Sequence, residues 1–172
     1  MICQIDSREK ARAIQKIVAE FDRQGIKHFV SKLPIGDYMN YDNPRMVVDR
    51  KQSLAEVAVN VGQDHARFKR ELERAQEFGI GLIFLVEHGG SIKTLDDVRG
   101  WNNPRLKNHP LALSGERLYK IMLTIQNKYG IAWEFCDKRC TGKRIIELLS
   151  DREAIRNCTI CKVASDGRGD DE

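Results

Sequence analysis

Arg45-Met46-Val47-Val48-Asp49-Arg50-Lys51 passes from β-branched residues into three consecutive charges, and its reading decides the fold. The run has the composition of a short strand, whose side chains alternate between two faces. Val47, Asp49 and Lys51 therefore point one way, while Val48 and Arg50 point the other. A carboxylate and an amine are set side by side at a strand end. Eleven residues separate Asp49 from the aspartate of Gly36-Asp37, with the turn signal Asn43-Pro44 between them. A hairpin of Gly36 to Tyr41 with Met46 to Lys51 would return Asp37 to the face of Asp49. Two carboxylates and one amine then stand where a divalent cation and an attacking water could be organised. In a chain that is 31% charged, the same residues scattered on the surface would be solvated groups with no such part.

Outward from this hairpin, periodicity marks the other elements. Ile2 to Ile5 is a strand, and Ile14, Ile17, Val18 and Phe21 have the i, i+3, i+4, i+7 spacing of an amphipathic helix that Gly25 ends. His28 to Ser31 is a second strand. Downstream, Ser53 caps a short helix through Asn60, Gly62 interrupts, and a longer helix runs from Asp64 to Phe78 with Phe68, Leu72 and Ala75 on one side. Leu82-Ile83-Phe84-Leu85-Val86 is apolar without alternation, as expected of a central strand covered on both faces. The polar stretch from Glu87 to Pro110 is long for a loop without a function, and Thr94 to Val98 reads as a helical turn within it. Leu118, Ile121, Met122 and Ile125 mark another helix, and Ile131 to Phe135 a last strand. Thr141 is placed to cap a helix carrying Ile145, Ile146, Leu148 and Leu149. The order predicts an α/β domain over residues 1–150, three-layered (α/β/α) around a central mixed sheet. Residues 151–172 are expected to be peripheral and to end in an acidic, disordered tail.

At 172 residues with 41% hydrophobic content, the chain suits one domain able to bury about two thirds of its unfolded surface. No run reaches the roughly 18 apolar residues of a membrane span, so no membrane partner is expected. Without a leader pattern at Met1, a cytoplasmic location is expected. Five cysteines, an odd number, fit a reducing compartment. Cys136 and Cys140 with Cys158 and Cys161 make two pairs that could hold a structural zinc, although the first pair has the wider spacing. The net charge of +4 is unevenly spread. Arg99, Arg105, Lys107, Arg117, Lys120 and Lys128 face a single acidic residue, Glu116, and Lys138, Arg139, Lys143 and Arg144 form a second cluster. Such clusters suit either a polyanionic partner or a solvated face.

Asp6-Ser7-Arg8-Glu9 stands where the first strand meets the first helix, and strand ends of open α/β sheets are where sites collect. Together with Gly36-Asp37-Tyr38, Val48-Asp49-Arg50-Lys51 and Asp64-His65-Ala66-Arg67-Phe68, it resembles the nuclease domain of the XPF family of structure-specific DNA endonucleases. That family has a restriction-endonuclease-like fold, and the order and spacing agree over residues 1–90. The resemblance implies a metal-dependent DNA endonuclease that hydrolyses phosphodiester bonds at branched or flap-like DNA. Asp37, Asp49 and the backbone carbonyl of Arg50 would hold Mg²⁺ or Mn²⁺, with Asp6 or Glu9 contributing to the site. Lys51 would orient or deprotonate the attacking water, and the Arg50 side chain would make a structural ion pair with Glu9. The DNA contacts implied are Arg8, Arg67, Arg99, Arg105 and Lys107. Arg67 could equally pair with Glu71, and Trp101 could stack on DNA or anchor the core.

Two departures from the family pattern stand out. Asp49 occupies a position that is usually Glu, and Ala55 occupies one that is usually Asp. Glu56 follows directly, but one residue on a helix turns the side chain by about 100°. An alternative is therefore a catalytically degenerate DNA-binding or dimerisation module of the same fold. The family's separate DNA-binding and helicase modules have no counterpart in the sequence. A compact nuclease-only member of phage or prophage type is expected, acting in the nucleoid or host cytoplasm, as a homodimer or with a partner protein supplying a DNA-binding domain.

Overall fold

Strands and helices alternate along residues 1–151, the part of the chain described by the computed structural model. In order they are β1 (Ile2–Asp6), α1 (Ala11–Arg23), β2 (Lys27–Ser31), β3 (Tyr38–Asn40), β4 (Met46–Lys51), α2 (Leu54–Gly62), α3 (His65–Glu77), β5 (Gly81–Glu87), α4 (Gly115–Tyr129), β6 (Ala132–Cys136) and α5 (Thr141–Ser150). The six strands form one sheet in the order β2-β1-β3-β4-β5-β6. β3 is antiparallel to both β1 and β4, while β1–β2, β4–β5 and β5–β6 are parallel pairs. The sheet is mixed, as the sequence predicts.

β4 and β5 are buried along their whole lengths. Alternation along them divides the core into two layers. Val47, Leu82, Phe84 and Val86 pack against α2, α3 and α4 through Leu54, Phe68, Leu72 and Leu118. Val48, Ile83 and Leu85 pack on the other side against α1 and α5 through Ile14, Ile17, Phe21 and Ile145. Each fully buried Leu or Ile contributes about 1.5–3 kcal/mol to this arrangement. Met122 and Leu118 of the α4 stripe are fully buried in the first layer, and Ile121 and Ile125 pack against it partly buried. Trp101 is half-buried against the same layer and acts as a core anchor.

The polar stretch after β5 contains two 3₁₀ turns, Asp96–Gly100 and Pro104–Lys107. The expected turn at Thr94 starts later because the Asp97 carboxylate accepts from the N–H groups of Lys93 and Thr94 at 3.0 and 2.8 Å, holding both outside it. Gly115 lets α4 close onto this stretch. A Cβ there would lie 2.5 Å from the carbonyls of Val98 and Trp101.

Thr141 does not cap α5. It is the first helical residue, buried, and its Oγ1 donates to Glu87 Oε1 at 2.8 Å, because a buried carboxylate competes for the hydroxyl. Among the described residues no helix is long and apolar enough to cross a membrane. The expected acidic tail, with Cys158 and Cys161, lies outside the described residues.

Candidate active site

Gly36 shapes the approach of Asp37 to β4. Its φ is +65°, a left-handed conformation that glycine adopts without strain, and a Cβ would press on the Val47 side chain and the Val48 carbonyl at 3.2–3.3 Å. Asp37 is then stitched between two strands. Its N–H donates to Val48 O at 2.9 Å, and its carbonyl accepts from Asp6 N–H at 2.8 Å. The Asp37 carboxylate, through Oδ2, accepts from the Arg50 N–H at 2.8 Å. On β4, Lys51 Nζ lies 2.6 Å from Asp49 Oδ1 as an ion pair. The ammonium sits 5.2 Å from the Phe84 ring and 5.8 Å from the Phe68 ring, and Phe84 stacks on Trp133 at 4.8 Å. Asp37, Asp49 and Lys51 thus meet in a cavity of about 330 Å³ between the end of β4 and α3.

Inside the cavity Asp37, Asp49 and Glu71 crowd around Lys51, while Arg8, Arg67, Arg70 and Arg74 also line it. Burial, and then the charges of Asp49 and Glu9, push the Asp37 carboxyl well above its ordinary range against the pull of the Arg50 N–H and Lys51. Burial and Asp49 likewise push Glu71 up, opposed by Lys51 and the Gly36 N–H. Burial works against the Lys51 charge, but Asp49, Glu71 and Asp37 outweigh it and hold the ammonium above its ordinary value. Asp49 Oδ1 is buried and accepts no well-directed hydrogen bond. A hard divalent cation that prefers oxygen donors fits this set. Among the described residues no group of three or more His, Cys, Asp and Glu side chains stands ready to hold a metal ion. The fit rests on donor type and on the crowding of Asp37, Asp49 and Glu71.

The opposite face of β4 is closed by a polar network. Arg50 Nη2 lies 2.9 Å from Glu9 Oε2 and Nη1 lies 3.3 Å from Glu87 Oε1. Tyr38 OH donates to the same Glu9 oxygen at 3.0 Å. Glu9 also borders the cavity, so it joins the two faces.

Asp6 is turned away from the carboxylates. Its Oδ1 accepts from Arg8 N–H and Nε at 2.6 and 2.8 Å, and its Oδ2 from Arg8 Nη2 and Leu33 N–H at 2.9 and 2.8 Å. Burial raises its carboxyl, but the Arg8 and Leu33 bonds win and hold it below the ordinary value. Asp6 anchors Arg8, which reaches the cavity together with Arg67. Arg99, Arg105 and Lys107 are not brought to that cavity. Arg99 stacks 4.0 Å from the Tyr119 ring centre, and Arg105 borders a separate cavity of about 370 Å³ with His109 and Leu111. Cys136 Sγ lies 3.7 Å from Thr141 Oγ1, and Cys140 is exposed.

Three charged residues of α3 at the cavity, Arg70, Glu71 and Arg74, are not among the site residues expected from the sequence. Glu71 turns inward to Asp49 and Lys51 instead of making the i, i+4 pair with Arg67. A signal for it existed. Phe68, Glu71, Leu72 and Ala75 follow the i, i+3, i+4, i+7 pattern, so Glu71 interrupts a stripe that is otherwise apolar.

Residues 5–146 match the ERCC4 domain family. Among solved structures, XPF from Aeropyrum pernix is similar with a TM-score of 0.60 and 18% identity, over 96% of this chain and 69% of that chain. XPF from Aeropyrum pernix in complex with DNA gives a TM-score of 0.59 and 19% identity, over 99% and 68%. No curated protein matches the chain. The structural likeness fixes the fold as that of the XPF nuclease domain, and the family match runs from β1 into α5. The chain therefore belongs to the ERCC4 domain family, the family of the XPF-type structure-specific DNA endonucleases.

Proposed function

We propose that the protein is a divalent-metal-dependent endonuclease hydrolysing phosphodiester bonds in branched or flap-like DNA at the end of β4. The observation that carries this reading is the meeting of Asp37, Asp49 and Lys51 in one cavity that Arg8 and Arg67 also line. Asp37, Asp49 and the carbonyl of Arg50 are the donors for Mg²⁺ or Mn²⁺. The ion, when bound, polarises the scissile phosphoryl oxygen and lowers the pKa of water.

The rest of the chemistry belongs to the chain. Lys51 is held charged by its neighbours, so it serves as a donor to the phosphate oxygens where charge develops, and orients water in the same place. Its aromatic bed limits its movement. Arg8 and Arg67 at the cavity mouth bind the flanking phosphates. Arg50 fixes the strand end from behind through Glu9 and Glu87.

Arg99, Arg105 and Lys107, set apart from this cavity, would meet a different segment of a substrate extending beyond one duplex arm. The similar Aeropyrum pernix protein bound to DNA supports DNA as substrate. A homodimer, a partner supplying further DNA contacts, and action in the cytoplasm complete the reading.

Labelled duplex, flap and four-way-junction DNA, each incubated with Mg²⁺, Mn²⁺ or chelator, test it. Metal-dependent cleavage of the branched forms, lost in Asp49→Asn and in Lys51→Ala, is expected. Binding without cleavage under every condition would instead establish the degenerate binding module that Ala55 suggests.

A further inference from the structure

We propose that Glu71, reaching over from α3, is a third side-chain oxygen donor to the cation held by Asp37 and Asp49. The inference rests on the metal-dependent reading above.

α3 is fixed on the sheet by Phe68, which lies 5.1 Å from Phe84, and by buried Leu72 and Ala75. Glu71 shares their side of the helix, so its carboxylate is carried over the end of β4. There it comes within hydrogen-bonding reach of the Asp49 carboxylate and faces Lys51 and the Gly36 N–H. Two carboxylates in contact repel unless a proton or a cation lies between them. Asp49 is only 5% exposed and lines the same cavity, and its Oδ1 has the Lys51 ammonium 2.6 Å away as ion-pair partner but accepts no well-directed hydrogen bond.

The first turn of α2 brings one carboxylate to the cavity, Glu56, while Ala55 has none. Glu56 is engaged at the helix N-terminus, where its Oε2 accepts from Gln52 N–H at 2.8 Å and its N–H donates to Ser53 Oγ at 3.2 Å, a capping arrangement. Glu71, by contrast, is the carboxylate delivered beside Asp49. The rival role is that of a counter-ion for Lys51 alone.

Mn²⁺ affinity of the full chain, read from the electron paramagnetic resonance signal of free Mn²⁺ without DNA, separates the two. Glu71→Gln and Asp37→Asn are each expected to weaken Mn²⁺ binding by about tenfold or more. Glu71→Asp keeps the charge beside Lys51 but shortens the reach, and is also expected to weaken it. Wild-type affinity in Glu71→Gln and Glu71→Asp, with loss in Asp37→Asn, would overturn the inference and leave the metal-dependent reading standing. A wild-type protein that does not bind Mn²⁺ would overturn both.

Discussion

The two faces of β4 carry charges of equal size and treat them differently. Behind the strand, Arg50 is held between Glu9 and Glu87, with Tyr38 and Thr141 filling further hydrogen-bonding positions. In front, Lys51 meets Asp37, Asp49 and Glu71, with Arg8, Arg67, Arg70 and Arg74 also lining the cavity. The rear face is the more fully paired, since a buried charge is tolerated when it is paired and hydrogen-bonded, although Glu87 Oε2 there has no hydrogen-bond partner. The front face crowds carboxylates whose repulsion a proton or a cation relieves. One strand therefore divides structure from chemistry by its two-residue period.

The largest effect is expected from changes to the front face. Asp37→Asn should lower the metal-dependent cleavage rate by about 10²–10³ or more, the scale for losing one electrostatic element of a site. It should also leave the melting temperature unchanged or raised, because it removes a carboxylate that burial and its neighbours destabilise. Thermal melts beside cleavage assays check both halves. A large loss of stability in Asp37→Asn would break the comparison.

Arg50→Met on the rear face should do the opposite. It leaves Glu9 and Glu87 without their cation, and truncating one partner of such a buried group costs about 3–5 kcal/mol. Denaturant unfolding would reveal it, and an undiminished midpoint would show that the rear network is not structural.

Thr141→Val sharpens the same point on a smaller scale. It removes the 2.8 Å bond to the buried Glu87 carboxylate, at a cost of about 1–3 kcal/mol. Cleavage by the folded protein should be kept.

How far these faces were legible depends on the range of the signal. Period two in Met46–Lys51 is a local property, and it sets Asp49 and Lys51 on one side and Arg50 on the other without reference to any distant contact. The stripe Phe68, Leu72, Ala75 and the unbroken run Leu82–Val86 are equally local, and they placed α3 and β5. Thr141 misled because its hydroxyl looked like a local cap, whereas its partner Glu87 is 54 residues away. Asp6 looked like a site carboxylate for the same reason. Its tie to Leu33 N–H is made by the chain passing beside β1, and nothing near Asp6 in sequence announces it. Glu71 needed the knowledge that α3 lies over the end of β4, which the strand order supplies and the helix alone does not.

The smallest effect concerns acid stability. Asp6 is buried, and its Arg8 and Leu33 bonds hold its carboxyl below the ordinary value of 3.8. Its stabilising contribution is therefore complete above that ordinary value and is lost as pH falls through the lower folded one. Wild-type melting temperature should decline in that acid range, and Asp6→Asn, already weaker near neutrality, should decline less. Equal slopes in the two proteins would deny Asp6 its anchoring part.

The central claim is that the front of β4 performs metal-dependent hydrolysis. Its most direct test is the single-turnover cleavage rate of end-labelled flap DNA by wild type and Asp49→Asn, both saturated with DNA, in Mg²⁺ and in chelator. The account predicts cleavage by wild type in Mg²⁺ alone, with Asp49→Asn reduced to the chelator level. Equal cleavage by the two proteins, or cleavage that persists in chelator, would contradict it.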